Sequence, residues 1–479
     1  MLNAQKVTAN SSFFLSALVI QKVLSFVYFT ILARGLGVEL TGRYFFAISF
    51  ATMFAVLMDL GLAPVLTREV ARQSGNEQKW FQQIFSLKLL LTFLSILILL
   101  SLNFFLFSGD PVQALLYLTT LIVAIDSFTL LFYAYIRGQQ NLKFEALGTI
   151  IFQLIVMLLG LTLLFFTKNL VLIISVLFFA SLFNLIFSGI VLNLKFKTKL
   201  NLLWQKDLLQ KIFLITWPFA LSAIFAKIYA YLDTFLLKMF LGDSAVGFYS
   251  VAYKITFAWQ FIPLGLVAAL YPAFSHFFLH DKTELNKVFN KGFLYLALVA
   301  LPILSGIIVL APEIILKVYK PEFAAAILPL QILIASLAFL FMNFALSSLL
   351  NSANLQKTNT RNLALTMFFN LLANLFLIPF LGVLGAALAS SFSTLVLFSL
   401  NLKAALKIVK IHHQALRNIF LALIASILMA ALVYFSKMII WWPLTILLGV
   451  VFYASFLLAS KILTWQEIKY WRRSIFKKD

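Results

Sequence analysis

The feature that most constrains this chain is a succession of apolar runs of about 20 or more residues, separated by short polar connections. A helix of ~20 residues crosses the ~30 Å hydrocarbon core of a bilayer. The chain is 63% hydrophobic and only 11% charged, whereas soluble domains carry roughly 25% charged residues. The sequence therefore predicts an all-α polytopic membrane protein. It excludes a transmembrane β-barrel, whose strands are short and alternate in polarity.

Fourteen transmembrane helices are predicted. They cover residues 12–34, 42–63, 84–107, 112–136, 146–166, 170–194, 212–240, 246–275, 292–311, 324–350, 362–380, 383–408, 416–436 and 440–460. The first follows a single lysine and has no small-residue cleavage site, so it is interpreted as a retained helix and not a signal peptide.

The distribution of cations predicts the orientation of these helices. Apart from four lysines deep in the spans, 26 Lys and Arg residues lie in the connections or at the span ends on one side, and 7 on the other. Cations concentrate on the cytoplasmic side of membrane proteins, which places both termini in the cytoplasm. The net charge of +21 is explained by this bias, so no nucleic-acid partner is predicted. The chain has no cysteine, which excludes disulfides and thiol chemistry.

A local pattern occurs twice, 205 residues apart. Its first copy is Leu36-Gly37 with Gly42, and its second is Leu241-Gly242 with Gly247. The same offset relates Lys22 to Lys227, and each lysine lies in the apolar run that ends at its copy of the pattern. Repeated bundles of membrane helices are typical of transporters.

The repeat predicts the domain organisation. Six spans precede the longest basic connection, so the second copy enters the membrane in the same orientation as the first. We expect two parallel six-helix lobes around a central cavity, at 1–194 and 212–408, joined by a basic cytoplasmic linker at 195–211. Residues 409–479 add two helices and a basic cytoplasmic tail. The linker either lies on the anionic leaflet or acts only as a topology-setting loop.

Ionisable residues inside spans are costly and need a partner or a role. They are Lys22, Asp59, Lys88, Asp126, Lys227, Asp233 and Lys254. Estimated depths predict an ion pair between Asp233 and Lys254, and another between Asp59 and Lys88. Asp126 lies at a depth where it neutralises Lys22 or takes part in ion coupling.

Four lysines against three aspartates leave a surplus cation in the membrane interior. An unpaired buried lysine either loses its proton or faces water. A water-filled cavity fits the second case and attracts an anionic cargo such as a pyrophosphate. Tyr231 shares a helix face with Lys227 and is a candidate lining residue, or packs at the interface. Trp259 is a candidate for stacking on a sugar ring, with ordinary packing as the alternative.

No motif for catalysis or cofactor binding is recognisable. His276 and His280 have a spacing that suits a metal, but they lack a third ligand and are interpreted as interfacial polar residues. Walker, nucleotide-binding and triad motifs are missing, so the sequence predicts no cofactor, no metal and no enzyme. A membrane glycosyltransferase or polymerase would need long catalytic loops, and no connection exceeds about twenty residues.

Several segments together resemble a known family. They are Arg34-Gly35-Leu36-Gly37, Gly42-Arg43-Tyr44-Phe45, Asp59-Leu60-Gly61-Leu62, Val246-Gly247-Phe248-Tyr249-Ser250 and Leu350-Asn351-Ser352-Ala353-Asn354. This pattern resembles the bacterial polysaccharide flippases, the O-antigen and exopolysaccharide exporters of the multidrug/oligosaccharidyl-lipid/polysaccharide exporter superfamily.

The resemblance implies a flippase of the bacterial cytoplasmic membrane that moves undecaprenyl-pyrophosphate-linked oligosaccharide by alternating access. It implies a cavity lined chiefly by spans one, two, seven and eight, which places Lys22, Lys227 and Lys254 on lining helices. The implied partners are the lipid-linked oligosaccharide, the phospholipid bilayer and, as a further candidate, a polysaccharide polymerase. An ion-coupled multidrug antiporter of the same superfamily is the alternative, with Asp126 or Asp59 in the coupling role.

Overall fold

A computed structural model describes residues 4–72 and 75–463, which form helices and short connections without a β-strand. The α-helices of this part of the chain are α1 Ala4–Leu36, α2 Val38–Asp59, α3 Leu62–Ala71, α4 Glu77–Phe107, α5 Gln113–Gly138, α6 Leu142–Phe166, α7 Leu170–Phe196, α8 Lys206–Leu241, α9 Asp243–Ala258, α10 Phe261–His280, α11 Lys282–Glu313, α12 Ile327–Ala335, α13 Leu337–Ser352, α14 Gln356–Leu381, α15 Val383–Ala405, α16 His413–Ser436 and α17 Trp442–Ala459. A π-helical turn, Ile314–Tyr319, and a 3-10 helix, Pro321–Ala326, lie between α11 and α12.

Fourteen helical segments of the described chain are long and apolar enough to cross a membrane. The predicted fold class and the predicted number of spans are therefore confirmed. The observed bounds of the basic linker differ from the predicted ones: α7 continues to Phe196 and α8 begins at Lys206. The connection is thus 197–205, shorter than the predicted 195–211. Most of the predicted basic tail follows residue 463 and is outside the described residues.

Contacts group the described residues into two compact units, 4–261 with 363–389, and 262–362 with 390–463. In the first unit, buried side chains of α3, α4, α5, α7 and α8 form one core, including Leu66, Phe81, Leu131, Leu192 and Ile212. In the second unit, α11 packs against α13 and α16. The lobes predicted at 1–194 and 212–408 come from the sequence repeat, whereas these two units come from contacts. The division into lobes therefore stays a prediction.

The second span of each repeat is interrupted. After α2, Leu60 and Gly61 both take positive φ values, 44° and 78°, and α3 starts at once. Glycine adopts this region at little cost, whereas a leucine there is strained. In the second copy the break falls at 259–260, between α9 and α10. Gly265, the repeat counterpart of Gly61, lies four residues inside α10.

The repeated glycines have a packing role. A Cβ atom on Gly42 would overlap the carbonyl of Asp243, and one on Gly247 would overlap the carbonyl of Val38. Both pairs, Gly42 with Gly247 and Val38 with Asp243, are 205 residues apart. The first turns of α2 and α9 therefore cross symmetrically, each glycine lying against the other helix's first residue.

Candidate functional site

A cavity of about 460 Å³ lies within the first compact unit. Seven helices contribute to its walls, α1, α2 and α5 to α9. Its polar lining consists of Gln21, Lys22, Ser25, Tyr28, Tyr44, Ser49, Thr52, Thr119, Asp126, Gln153, Tyr231, Tyr253 and Lys254. The cavity is thus more polar than a gap left by imperfect packing of apolar helices.

Helical periodicity explains this lining. On α1 the lining residues include Gln21, Ser25 and Tyr28, at spacings of four and three. On α5, Thr119 and Asp126 are seven residues apart. Residues at these spacings share one face of a helix. Each of these helices therefore carries a polar stripe that faces the cavity, although its overall composition is apolar.

Two of the predicted lysines line the cavity. Lys22 comes from α1 and Lys254 from α9. The Nζ atom of Lys254 lies 5.3 Å from the ring centre of Phe29 and 5.6 Å from that of Phe45. Aromatic faces attract cations at these distances. The rings hold the Lys254 ammonium group at the cavity wall without neutralising its charge.

The third lysine is adjacent to the same cavity. The Nζ atom of Lys227 lies 5.6 Å from the ring centre of Tyr231, and Tyr231 lines the cavity. Of the three lysines predicted from the sequence, Lys22 and Lys254 therefore line the cavity, and Lys227 lies outside the lining, beside Tyr231.

One carboxylate, Asp126, lines the cavity with these lysines. Among residues 4–72 and 75–463, the salt bridges do not include one between Asp126 and Lys22. With Lys22 and Lys254 charged, the formal charge of the lining is positive even when Asp126 is ionised. The cavity is therefore suited to an anionic ligand.

The other two membrane aspartates, Asp59 and Asp233, have polar partners within the protein. The Nζ atom of Lys88 donates to an oxygen of Asp59 at 2.6 Å, as predicted, and the Lys88 side chain has no exposed surface. Asp233 is buried and accepts hydrogen bonds from Tyr249 at 2.6 Å and from Asn374 at 2.7 Å.

The expected ion pair between Asp233 and Lys254 is wrong. The described salt bridges do not join these residues, because Lys254 points to α1 and α2 whereas Asp233 points to Tyr249 and Asn374. The depth estimate could not distinguish these faces.

Trp259 does not line this cavity. It follows the last residue of α9 and lies five residues after Lys254. Five residues rotate a side chain by about 140° from the starting face at 3.6 residues per turn. The stacking of Trp259 on a sugar therefore finds no support in the geometry of this cavity.

A charged cluster that the sequence analysis missed connects the ends of α2, α8 and α9. Lys238 bonds to Asp110 at 2.8 Å and to Asp243 at 2.7 Å. Arg43 bonds to Asp243 at 2.9 Å and also pairs with Glu39. Arg43 was part of the motif quoted above, but its partner is 200 residues away, so no local pattern identifies the pair.

The pKa of Asp110, which lies between α4 and α5, reflects this cluster. Burial alone would raise this pKa. Hydrogen bonds from Lys238 and from the Val112 amide, together with the charges of Lys238 and Arg43, outweigh burial and lower the pKa below its ordinary value of 3.8.

In the described part of the chain, no three His, Asp or Glu side chains come together as metal ligands. His276 and His280 stack with ring centres 4.6 Å apart, and the Nδ1 atom of His280 lies 2.7 Å from the carbonyl oxygen of His276. The two histidines therefore contact each other at the end of α10.

The chain matches family models and several known proteins. A family model described as polysaccharide biosynthesis protein matches residues 7–278, more than half of the chain, and the MatE model matches residues 218–376. The chain is 28% identical over 171 residues to the probable flippase AglR of Haloferax volcanii, which covers 34% of this chain and 35% of that protein. It is 24% identical over 302 residues to a putative O-antigen transporter of Shigella flexneri, covering 61% of this chain and 71% of that protein.

The fold is similar to that of a solved membrane transporter. The structure of the lipid II flippase MurJ in an inward closed conformation matches with a TM-score of 0.77 at 16% sequence identity. The match covers 92% of this chain and 97% of MurJ. By contrast, the chain spans only about a third of the length of the archaeal flippase.

Proposed function

Because the chain belongs to the family of polysaccharide biosynthesis proteins, we propose that it is a flippase that moves lipid-linked oligosaccharide across a membrane. The cationic cavity carries this proposal. Lys22 and Lys254 line one polar space among the fourteen apolar spans of the described residues, and Lys227 lies next to the lining residue Tyr231. Membrane proteins keep such charges where they line a pathway or bind a ligand.

The charge and lining of the cavity favour a phosphate-linked glycan. A lysine and a phosphate oxygen 4 Å apart attract each other by about 4 kcal/mol at an effective dielectric of 20. A pyrophosphate offers several such oxygens to the three lysines. Hydroxyl and amide groups of Gln21, Thr119 and Gln153 are donors and acceptors that match sugar hydroxyls. We therefore propose undecaprenyl-pyrophosphate-linked oligosaccharide as the cargo, moved by alternating access.

The proposed setting is the bacterial cytoplasmic membrane, with both termini in the cytoplasm. The 26 to 7 distribution of cations between the two sides supports this orientation. The named relatives include a putative O-antigen transporter and a probable flippase, which supports a role in O-antigen, capsule or exopolysaccharide synthesis as a transporter and not as an enzyme. A polysaccharide polymerase is the class of enzyme that would use the exported units.

Reconstitution tests the proposal. Purified protein is placed in liposomes that contain undecaprenyl-pyrophosphate-linked oligosaccharide, and a membrane-impermeant glycosidase is added. In protein-free vesicles the enzyme reaches only the outer-leaflet glycan. We expect it to consume the inner-leaflet glycan as well when the protein is present. The glycan used should be the one made by the host's own pathway. If the inner-leaflet pool of that glycan stays protected in protein-containing vesicles, the proposal is wrong.

A second candidate function is an ion-coupled multidrug antiporter, which is favoured by Asp126 in the cavity wall and by the MatE match. An antiporter for cationic drugs would use Asp126 and would be hindered by the lysines. The same vesicles distinguish the two functions, because an antiporter would move a fluorescent cation in response to a proton or sodium gradient and would leave the glycan where it was.

A further inference from the structure

The connection between α7 and α8, residues 197–205, is not a loose loop. It is held on α4 by three hydrogen bonds. The side chain of Gln78 donates to the carbonyl of Lys199 at 2.8 Å. Ser86 Oγ accepts from the Leu203 amide at 2.9 Å, and Gln83 Oε1 accepts from the Gln205 amide at 2.8 Å. We call this segment the linker strap.

Two of the three bonds, those to Ser86 and Gln83, are shielded from water, whereas the Gln78 bond is exposed. Gln83 is 0% exposed and Ser86 is 1% exposed. A backbone amide that loses a buried acceptor loses a bond that water does not easily replace. The path of the strap across α4 is therefore fixed by the fold.

This path leaves three large apolar side chains exposed. The exposed fractions are 52% for Leu200, 61% for Leu202 and 54% for Trp204. These three side chains occupy alternate positions of the strap. The strap thus presents an apolar edge, and apolar exposure continues into α8 at Phe213 and Trp217, whose rings stack at 5.8 Å.

Cations flank this apolar edge. Lys197, Lys199 and Lys206 are exposed, and Asp207 is the acidic residue between positions 195 and 211. Lys195 differs from these lysines, because its Nζ atom lies 4.5 Å from the ring centre of Phe144. Lys195 and Lys211 are exposed as well, and Lys197, Lys199 and Lys206 are the exposed lysines within the strap or directly next to it.

We propose that the linker strap docks on anionic phospholipid headgroups. Leucine and tryptophan side chains enter the boundary between headgroups and acyl chains, while lysines extend to the phosphates. The strap matches this pattern with an apolar edge and a basic border. Because the strap runs directly into α8, lipid binding also fixes the start of the helix that carries Lys227 and Tyr231.

The absence of cysteine from the chain makes a clean test possible. The variant Leu202→Cys offers one thiol, which is labelled with an environment-sensitive fluorophore. The labelled protein is placed in nanodiscs of phosphatidylcholine alone or mixed with phosphatidylglycerol, with and without brominated acyl chains. We expect a blue shift and several-fold stronger bromine quenching in the anionic discs, weakened by added salt.

Two matched controls complete the experiment. K197Q/K199Q/K206Q should lose the difference between the two lipid compositions, whereas K403Q/K407Q/K410Q, which removes three lysines from another basic connection, should keep it. A label at Phe179→Cys, which is 59% exposed in the middle of α7, should be quenched in both discs. Equal quenching of the strap label in both compositions, or quenching in neither, would overturn the proposal.

Discussion

Two lysines of this protein show how differently a membrane helix accommodates the same residue. Lys88 has no exposed surface and bonds to Asp59 at 2.6 Å. Lys254 lies against two aromatic rings at the wall of a polar cavity. The first charge is neutralised by its partner, whereas the second stays available to a ligand. We therefore infer a structural role for Lys88 and propose a binding role for Lys254.

The structural role of Lys88 predicts an asymmetric response to mutation. Lys88→Met leaves the Asp59 carboxylate without its counter-ion, and removing one partner of a buried pair typically costs about 3–5 kcal/mol. We expect a marked fall in the thermal unfolding temperature of the detergent-purified protein. The double variant D59L/K88M removes both charges and should recover most of that loss. A double variant as unstable as Lys88→Met would contradict the assignment.

The charged cluster around Lys238 predicts a pH response. The pKa of Asp110 is below its ordinary value of 3.8, so its contribution to stability is complete above pH 3.8 and is lost as the pH falls through the lower, folded-state pKa. We expect Asp110→Asn to unfold at a lower temperature than the wild type at neutral pH. The difference should stay constant from pH 5 to 8 and shrink under strongly acidic conditions. A difference that disappears near neutral pH would mean that another group titrates in this cluster.

At the scale of helices, the repeat explains how α2 and α9 approach each other. Gly42 and Gly247 each lie against the backbone of the opposite helix, and any side chain at these positions would collide with a carbonyl group. The sequence motif predicted a duplication but not this contact, because spacing along the chain does not show which helices cross. For the same reason, the sequence did not predict the hydrogen bond between Asp233 and Asn374, which are 141 residues apart.

This crossing predicts different outcomes for two glycine substitutions. Gly247→Ala pushes a methyl group against the Val38 carbonyl, and overpacking of this kind costs about 1–3 kcal/mol. Gly265→Ala is the matched control, because a Cβ atom there would meet nothing within 4 Å. Unfolding temperatures should fall for Gly247→Ala and stay the same or rise for Gly265→Ala. Equal behaviour of the two variants would show that the crossing is not tightly packed.

At the scale of the whole molecule, the fold was more predictable than the site. Hydropathy identifies spans because each one must satisfy its own backbone in lipid. Fourteen were predicted, and the described residues contain fourteen. The lysines of the site were predictable because a charge in an apolar helix is conspicuous. Gln21, Tyr28 and Gln153 were missed, since uncharged polar residues in spans are ordinary and only the tertiary packing shows that they face one cavity.

The central claim is that Lys22, Lys227 and Lys254 form one cationic site for the phosphate of a lipid-linked glycan. The most direct measurement compares wild type, K22A/K254A, Lys227→Ala and the control Lys287→Ala in the liposome assay, at matched protein content and with unfolding temperatures as a check. Lys287 is an exposed lysine that pairs with Glu284. We predict that both cavity variants leave the inner-leaflet glycan protected while the control moves it like the wild type. Normal movement by well-folded cavity variants would contradict the account.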